Sequence, residues 1–369
     1  MKNIAKKMPQ NLKSRKTVLS SIVIGSTLAL TMPLQATEIQ VVGNLDGSVN
    51  VSKVYGEDTK VQFSSGFRHG SSLGIIGTED LGGGNEIGFF LDQGFSMMNG
   101  QVVDGPDNSA FGREAMLYYK GNIGKVGFGR FGTLSSGTGS FTMLSGWVFG
   151  TTYTTAAWSE FGRVIPQYRL NNAVAYVTPD LSGLTFSLMY SNGTPDDSNR
   201  WSQNSHYYGA AARYEQGNLL TSLVLESADH KDPETVGNRG RRYEVNYGLE
   251  AKFSAFTAMF AYQFHSQEQG IKDNIFGLSA RIPVFGGDVL VGTRYLFGKN
   301  DSTNIGDRES KRRAWSLNAA YEYPLSKNST LWAYGGVASG KKGLSTDFVE
   351  GRRVNYNGWQ TVFGMTHKF

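Results

Sequence analysis

The chain has 369 residues, of which 47 are glycine, 12% are aromatic and none is cysteine. Its 36 lysines and arginines outnumber its 31 acids, but six of these cations lie in residues 1–16, which contain no acid. The rest of the chain is close to neutral, so its charge does not point to a nucleic-acid partner.

The N-terminus has the pattern of a secretory signal peptide, residues 1–36. A basic stretch, Lys2–Lys16, precedes a mainly apolar stretch, Thr17–Leu34, and the small residue Ala36 follows. A membrane anchor is the alternative, but serine, glycine and proline interrupt the apolar stretch, whereas a spanning helix needs about 20 mainly apolar residues. The sequence therefore predicts export, cleavage after Ala36 and a mature domain of residues 37–369.

From residue 37 onward, short segments of alternating apolar and polar residues recur between turn residues. In Thr37–Val51, for example, Ile39, Val41 and Leu45 share one face, as alternate residues of a β-strand do. No stretch in this region approaches the ~18 consecutive apolar residues of a spanning helix. Sixteen strands are predicted, at roughly 37–51, 69–80, 85–98, 110–121, 125–131, 168–178, 183–192, 206–215, 219–229, 241–253, 255–267, 273–282, 288–298, 312–323, 330–339 and 353–369.

The connections between these segments alternate in length. Tight connections such as Leu81–Gly84 and Phe285–Gly287 alternate with longer polar ones such as 193–205, 299–311 and the longest, 132–167. Short turns at one rim and long loops at the other are typical of an outer-membrane barrel with an even number of strands. The sequence therefore predicts an all-β fold, a 16-stranded antiparallel transmembrane β-barrel. A soluble all-β protein is the alternative, and it does not explain the unequal connections.

The last predicted strand supports closure of this barrel. In Trp359–Phe369, an apolar face that includes Phe363 alternates with a polar face that includes Gln360 and Lys368. Pairing of this strand with Thr37–Val51 would leave the sheet without a free edge, as lipid requires.

Several stretches also resemble a known family. Ser71–Gly84 (SSLGIIGTEDLGGG) resembles the second strand and first turn, and Phe111–Ala115 with Val126–Gly132 the hairpin before the third loop, of general bacterial porins from Gram-negative outer membranes. Tyr168–Tyr176 is similar to their next strand, and Gly364–Phe369 to their closing strand. The resemblance spans the mature chain. It implies an outer-membrane homotrimer, with contacts through strands near the start of each barrel, that passes ions and small hydrophilic solutes by passive diffusion.

The resemblance further implies that the third loop, residues 132–167, folds into the lumen. The residues of this loop favour the same arrangement, because connections longer than ~12–15 residues are usually functional or disordered. Its aromatic content is too high for a disordered segment. The aromatic residues are Phe141, Trp147, Phe149, Tyr153, Trp158 and Phe161.

In porins of this type, arginines on the wall face acids on the inserted loop. By motif position, Arg113 and Arg169 carry over as wall arginines, and Arg130 sits at the base of the loop. Ser72 occupies the position of another common wall arginine, and Glu160 is the only acid in the loop. The predicted pore constriction comprises Arg113, Arg130, Arg163, Arg169 and Glu160. Its excess of positive charge predicts a weak to moderate preference for anions.

Two neighbouring features are interpreted as subunit contacts, and a third leaves a lipid contact open beside the simpler explanation, a solvated loop. Strand parity places Glu114 opposite Arg113, towards lipid or a neighbouring subunit, and a carboxylate facing lipid is costly. The glycine-rich strand Gly124–Gly132 would let another barrel approach closely. The charged run 299–313 could contact lipopolysaccharide phosphates or form a solvated loop.

Other classes of function stay open. A substrate-specific channel for sugars or organic anions could use Trp147, Tyr153 and Trp158 as a stacking track, although packing of the loop explains them more simply. An adhesin or structural barrel would have longer external loops. The five histidines lack metal-ligand spacing, and no sequence context selects a catalytic Ser–His pair, so no enzyme, metal or cofactor is predicted.

Overall fold

The computed structural model describes most of the chain from residue 38 onward. The described residues are 38–103, 110–149, 153, 169–193, 201–230, 240–268, 270–300, 311–340, 347–349, 352–354 and 357–369. The predicted signal peptide, residues 1–36, lies outside this part, as do residues 154–168 of the long third connection. Within it, no helix is long and apolar enough to cross a membrane.

The described secondary structure is almost entirely β-strand. The strands are, in chain order, β1 (Glu38–Val54), β2 (Lys60–Ser65), β3 (Ser72–Gly82), β4 (Asn85–Phe95), β5 (Val102–Val103), β6 (Glu114–Gly121), β7 (Gly124–Gly132), β8 (Arg169–Val177), β9 (Leu184–Asn192), β10 (His206–Gln216), β11 (Leu219–His230), β12 (Gly240–Lys252), β13 (Thr257–Gln267), β14 (Ile271–Val284), β15 (Gly287–Asn300), β16 (Lys311–Pro324), β17 (Ser329–Gly340), β18 (Asp347–Val349), β19 (Arg352–Val354) and β20 (Gly358–Lys368). Each of the sixteen predicted strands overlaps one of these. The strands β2, β5 and β18 were not predicted, and β19 overlaps the start of the predicted strand 353–369, most of which forms β20.

The strands form an antiparallel sheet that closes on itself. β1 pairs with β20 along Asn44–Val54 and with β3 along Glu38–Asn44, so the first and last strands are neighbours. Eighteen strands belong to this sheet. Because β2 and β5 are short strands beside β1 and β4, the other sixteen make up the wall. The predicted 16-stranded antiparallel barrel, closed by its last strand, is confirmed.

The two faces of the wall differ in character. On β16, Trp315 and Leu317 are exposed, whereas the alternate residues Ser316 and Asn318 are buried. Side chains of a strand alternate between faces, so the exposed apolar residues point outward and the polar ones inward. An apolar exterior around a polar interior is the pattern of a barrel surrounded by lipid.

The tight turn predicted at Leu81–Gly84 joins β3 to β4. Gly82, Gly83 and Gly84 have φ values of +80°, +63° and +80°. Glycine adopts this left-handed region more easily than any residue with a side chain. The run of three glycines is therefore a requirement of the turn.

β2 lies beside Gly47–Ser52 of β1 and precedes an irregular segment. Lys60–Phe63 alternates polar and apolar residues, so this short strand carries a local signal that could have predicted it. Between Ser65 and Ser72 the chain leaves the wall and turns into the barrel. Phe67 in this segment is buried.

The apolar core lies inside the barrel, between the wall and the inserted chain. It consists of two clusters, and residues of the long third connection belong to both. One cluster includes Phe131, Leu134, Phe141, Met143 and Leu170. The other includes Phe67, Trp147, Phe149, Tyr153 and Trp332.

Candidate functional site

Residues 132–149 and Tyr153, hereafter the constriction loop, fold into the barrel as predicted. The backbone N–H of Ser135 donates to Glu226 Oε1 at 3.0 Å. The Tyr207 hydroxyl donates to the same oxygen at 2.5 Å. Because Tyr207 and Glu226 belong to β10 and β11, these bonds fix the start of the loop against those strands.

Further along the loop, side chains of the wall accept hydrogen bonds from its backbone. The N–H of Gly146 donates to Glu250 Oε1 on β12 at 3.0 Å. The N–H of Val148 donates to Ser279 Oγ on β14 at 3.1 Å. A buried loop must find partners for its backbone donors. Here the wall supplies these partners, so the loop follows the inner surface from β10 to β14.

Trp147 occupies a depression that two glycines create. A Cβ atom on Gly292 would lie 2.8 Å from the Trp147 ring, and one on Gly277 would lie 3.2 Å from it. The Arg294 guanidinium lies 4.2 Å from the ring centre, a cation–π contact. Trp147 is 5% exposed and Tyr153 is 0% exposed. Neither ring is available to stack on a passing sugar, and Trp158 lies outside the described residues.

A second segment, residues 66–70, also turns into the barrel and meets the constriction loop. The N–H of Tyr153 donates to the Arg68 carbonyl at 2.6 Å. The Arg68 side chain donates through Nε to Glu322 Oε1 on β16 at 2.9 Å. Burial lowers the pKa of Arg68, but the Glu322 carboxylate outweighs this effect and raises it. Arg68 therefore stays charged inside the barrel.

Glu114 lies inside the barrel, so the interpretation that it faces lipid or a neighbouring subunit is wrong. It is 2% exposed. Its carboxylate accepts hydrogen bonds from the Ser140 N–H at 2.9 Å, from the Ser140 hydroxyl and from the Gly132 N–H at 3.4 Å. Strand alternation does not relate Glu114 to Arg113, because β6 begins at Glu114 and Arg113 belongs to the preceding turn. Glu114 fixes the base of the constriction loop.

Two glycines of β7 make room for the constriction loop, whereas the sequence suggested that they admit a second barrel. A Cβ atom on Gly127 would lie 2.5 Å from the Phe141 ring. One on Gly132 would lie 2.3 Å from Ser136 Oγ. Both contacts are with loop residues inside the barrel, so the small residues at these positions serve insertion of the loop.

Arg113 and Arg169 lie at the bases of the two inserted segments. Arg113 Nη1 donates to the Gly70 carbonyl at 2.8 Å, where segment 66–70 returns to the wall. Arg169 Nη2 lies 3.4 Å from Thr138 Oγ1 of the constriction loop. Arg169 is also close enough to Glu114 to act on its charge.

The other predicted constriction residues are not brought together with this pair. Arg130 donates through Nε to the Gly112 carbonyl at 2.7 Å and through Nη1 to Asn171 Oδ1 at 2.5 Å. Its cross-strand partner is Ala115, which follows the inward-facing Glu114, so Arg130 lies on the outward-facing side of the loop base. Glu160 and Arg163 lie outside the described residues.

Charged residues of the opposite wall face the interior and were not identified from the sequence. Arg281 Nη1 on β14 lies 2.8 Å from Asp288 Oδ2 on β15 and 3.5 Å from Glu322 Oε2 on β16. Arg294 on β15 packs on the constriction loop, as described above. Strand alternation could have identified all four, because each occupies an inward-facing position of a correctly predicted strand or its end.

A further charged group is fully buried in the wall. His265 Nε2 lies 2.8 Å from Asp273 Oδ2, and Arg312 Nε lies 2.9 Å from the same oxygen. The contacts of two buried side chains satisfy the carboxylate, which indicates a structural role. Among the described residues, no group of histidines and acids has the arrangement of a metal site.

Comparisons with known proteins agree on one family. The family model described as Gram-negative porin matches residues 23–343. Outer membrane porin protein 32 of Delftia acidovorans is 27% identical over 368 residues, which cover 94% of this chain and 95% of that protein. An outer membrane porin protein of Bordetella pertussis is 26% identical over 309 residues, covering 74% of this chain and 78% of that one.

Solved structures show the same fold. The anion-selective porin from Comamonas acidovorans matches with a TM-score of 0.69 at 24% identity, covering 90% of this chain and 100% of that chain. The trimer form of OmpT from Vibrio cholerae matches with a TM-score of 0.63 at 14% identity, covering 91% of this chain and 100% of the other.

Proposed function

The chain belongs to the Gram-negative porin family, and we propose that its barrel is an outer-membrane channel for passive diffusion of ions and small hydrophilic solutes, with a weak anion preference. The observation that carries this proposal is the constriction loop. Its backbone is bonded to Glu114, Glu226 and Glu250, so it narrows the lumen while staying against the wall. The family and the fold are those of channels and not of enzymes.

The burial of the charged groups supports the anion preference. The loop covers the carboxylates of Glu114 and Glu226, which are fully buried. Arg169, Arg281 and Arg294 are only partly buried. Charges nearest to the water of a pore have the largest effect on which ions enter it, and charges that the loop covers have a smaller one. The preference should be weak, because Asp288 lies close to one of these arginines.

The reversal potential of the purified channel in a planar bilayer tests this preference. Under a tenfold KCl gradient, we expect a potential that corresponds to a modest excess of chloride over potassium permeability. The Arg281→Gln variant should lower the chloride-to-potassium ratio, because it leaves Asp288 without its nearest cation. A clear preference of the wild-type channel for potassium would contradict the proposal.

A substrate-specific channel is the second candidate, and burial of the loop aromatics disfavours it. A stacking track needs exposed rings, whereas Trp147 and Tyr153 are packed against the wall. Fluxes of neutral sugars into proteoliposomes should therefore fall smoothly with solute size. Saturable block of the current by one sugar or organic anion would favour the specific channel instead.

We also propose that three copies associate through the outer surface near the start of the barrel. The OmpT structure from Vibrio cholerae is a trimer form. Here Ile39 and Val41 of β1 are strongly exposed apolar residues of the outward face, and Phe63 of β2, opposite Val49, is another further along the wall. Light scattering in detergent should give three times the monomer mass, and conductance should rise in steps of three. A monomeric mass with single steps would contradict this assembly.

A row of lysines supports contact with lipopolysaccharide phosphates. Lys272 of β14 is the direct partner of Lys299 of β15, which is the direct partner of Lys311 of β16. All three share the outward face with Phe297 and Trp315, at the end of the strands with the long 299–311 connection. Like charges directly opposite each other repel. Such a concentration of positive charge on the outward face would attract the phosphate groups of the lipid.

Binding to lipopolysaccharide before and after enzymatic dephosphorylation tests this contact. The triple Lys→Gln variant at 272, 299 and 311 should lose affinity only for the phosphorylated lipid. Equal binding by variant and wild type would rule out the lysine row as the phosphate site.

We further propose that residues 1–36 are removed on export. Mass spectrometry of the protein purified from outer membranes should then give an N-terminus at Thr37. Retention of the basic residues before Thr17 would instead support a membrane anchor.

A further inference from the structure

Segment 66–70 turns into the barrel, and hydrogen bonds to β1 hold both of its ends. The N–H of Gly66 donates to the Asp46 carbonyl at 2.9 Å. The Asn44 side chain donates through Nδ2 to the Gly70 carbonyl at 2.6 Å. Between these two ends, Phe67 and Arg68 are buried. Both ends are thus held, and the middle of the segment extends into the barrel.

The segment crosses the inner surface of two intervening strands. β1 neighbours β20, β20 neighbours β17, and β17 neighbours β16. Arg68 is bonded through its N–H to Asp46 Oδ1 on β1 and through Nε to Glu322 on β16. Because neighbouring strands lie about 4.8 Å apart, this single residue links wall positions roughly 14 Å from each other.

An aromatic contact joins the segment to the constriction loop. The Phe67 ring stacks on Trp332 of β17, with centroids 5.8 Å apart, and meets Tyr153 edge-on at 6.2 Å. The Tyr153 N–H bond to the Arg68 carbonyl lies beside these rings. The end of the constriction loop is therefore held by segment 66–70 and not by the wall alone.

The charges around Arg68 are nearly balanced. Arg68 and Arg281 both contact Glu322, and Arg281 also contacts Asp288. The Arg68 and Glu322 side chains are about one-tenth exposed. Removal of one member of such a buried group leaves an uncompensated charge in a region of low dielectric constant.

We propose that residues 66–70 form a second constriction segment and that Arg68, which shares Glu322 with the partly exposed Arg281, contributes to both the pore size and the ion preference. The proposal rests on the channel function proposed above. It identifies a residue that takes part in the selectivity although it lies in neither the constriction loop nor a strand.

Substitution of Arg68 and Glu322 tests whether this ion pair affects the ion preference. Arg68→Gln should lower the chloride-to-potassium permeability ratio about twofold, because Glu322 then faces the lumen without its main cation. Glu322→Gln should raise the ratio, and the double variant should return close to wild type. Arg213→Gln is the matched control, because Arg213 pairs with Glu215 at 2.9 Å on β10. It should change the ratio less and leave the conductance unchanged.

Removal of the aromatic contact tests the effect on pore size. Phe67→Ala should increase the single-channel conductance and its fluctuations, because the end of the constriction loop loses its support. Normal heat-modifiable mobility on gels would show that the barrel still forms. Unchanged conductance in Phe67→Ala, together with an unchanged permeability ratio in Arg68→Gln, would overturn the proposal.

A third measurement keeps the wild-type contacts of Phe67 and Arg68. Because the chain has no cysteine, His69→Cys introduces a single thiol into the segment. A cationic methanethiosulfonate reagent should reduce the current through this variant. It should leave Tyr55→Cys unaffected, because Tyr55 is exposed in the turn outside the barrel. A current in His69→Cys that does not respond would contradict the lumenal position.

These measurements separate the two proposals. If the wild-type channel prefers potassium, the proposed anion preference fails. The shift in Arg68→Gln and the block of His69→Cys would still show a second constriction segment. If the wild type prefers chloride and neither effect appears, only the role of segment 66–70 fails.

Discussion

The Glu114 carboxylate accepts three hydrogen bonds at the base of the constriction loop, two of them from Ser140. Glu114→Gln keeps the shape of the side chain but replaces a charged acceptor by a neutral one, at a cost of about 1 kcal/mol. It also removes a negative charge near Arg169. We expect the reversal potential to shift towards anions in a KCl gradient.

The control for this prediction is Glu38→Gln, because Glu38 is exposed at the start of β1, away from the loop. It removes the same charge and should leave the reversal potential unchanged. An unchanged reversal potential in Glu114→Gln would mean that the base of the loop does not contribute to the field in the pore, and a shift towards cations would contradict the expected sign.

His69, which lies outside the strands, should make the stability of the folded chain depend on pH. Partial burial, followed by the positive charges of Arg68 and Lys368, lowers the pKa of His69 to about 3 from an ordinary value of 6.5. Between these values the folded chain binds fewer protons at this site than the unfolded chain does. Stability is therefore full above pH 6.5 and is lost as the pH falls towards 3.

His69→Gln should remove this loss. In urea unfolding of the detergent-folded protein, we expect the midpoint of the wild type to fall between pH 7.5 and 5 by more than that of the variant. A parallel fall of both midpoints would show that His69 is already protonated in the folded state or does not contribute.

At the scale of the element, packing of the Trp147 ring holds the constriction loop against the wall. Trp147→Ala empties the depression at Gly277 and Gly292, and removal of a buried aromatic side chain costs about 3–5 kcal/mol. The amides of Gly146 and Val148, which donate to the wall, should then exchange with deuterium more than about tenfold faster. Amides of the strands should exchange as in the wild type.

Trp315→Ala provides the matched control. It removes the same side chain from an outward-facing position of β16, where the ring is exposed. It should leave exchange in the loop unaltered. Equal exchange of the loop amides in Trp147→Ala and wild type would show that hydrogen bonds alone hold the loop.

The strands and the insertion of the third loop could be predicted from the sequence, whereas segment 66–70 and the contacts of both inserted segments with the wall could not. Alternation within β16 or β20 is a local signal, and the constraint that lipid imposes on the outward face strengthens it. The contacts of Arg68 with Glu322 join residues 254 positions apart, and no local pattern encodes such a distance. Glu114 was misplaced for a related reason, because a turn before β6 ends the alternation that the parity argument extended.

At the scale of the whole molecule, Asp46 connects closure of the barrel to the chain inside it. Its Oδ2 accepts from the Thr366 hydroxyl of β20 at 2.5 Å, and its Oδ1 accepts from the Arg68 N–H at 3.1 Å. Thr366 in turn accepts from Trp332 Nε1 of β17 at 3.0 Å. One fully buried carboxylate therefore joins β1, β20 and β17 to segment 66–70.

Asp46→Ala should weaken closure and constriction together. It leaves buried donors of Thr366 and Arg68 without their acceptor, at about 1–3 kcal/mol for each. We expect a lower urea midpoint and a larger single-channel conductance in the same variant. Asp288→Ala is the control, because Asp288 also faces the interior but is partly exposed, and it should lower the midpoint less. If Asp46→Ala lowered the midpoint without changing the conductance, closure of the barrel and the position of segment 66–70 would be independent of each other.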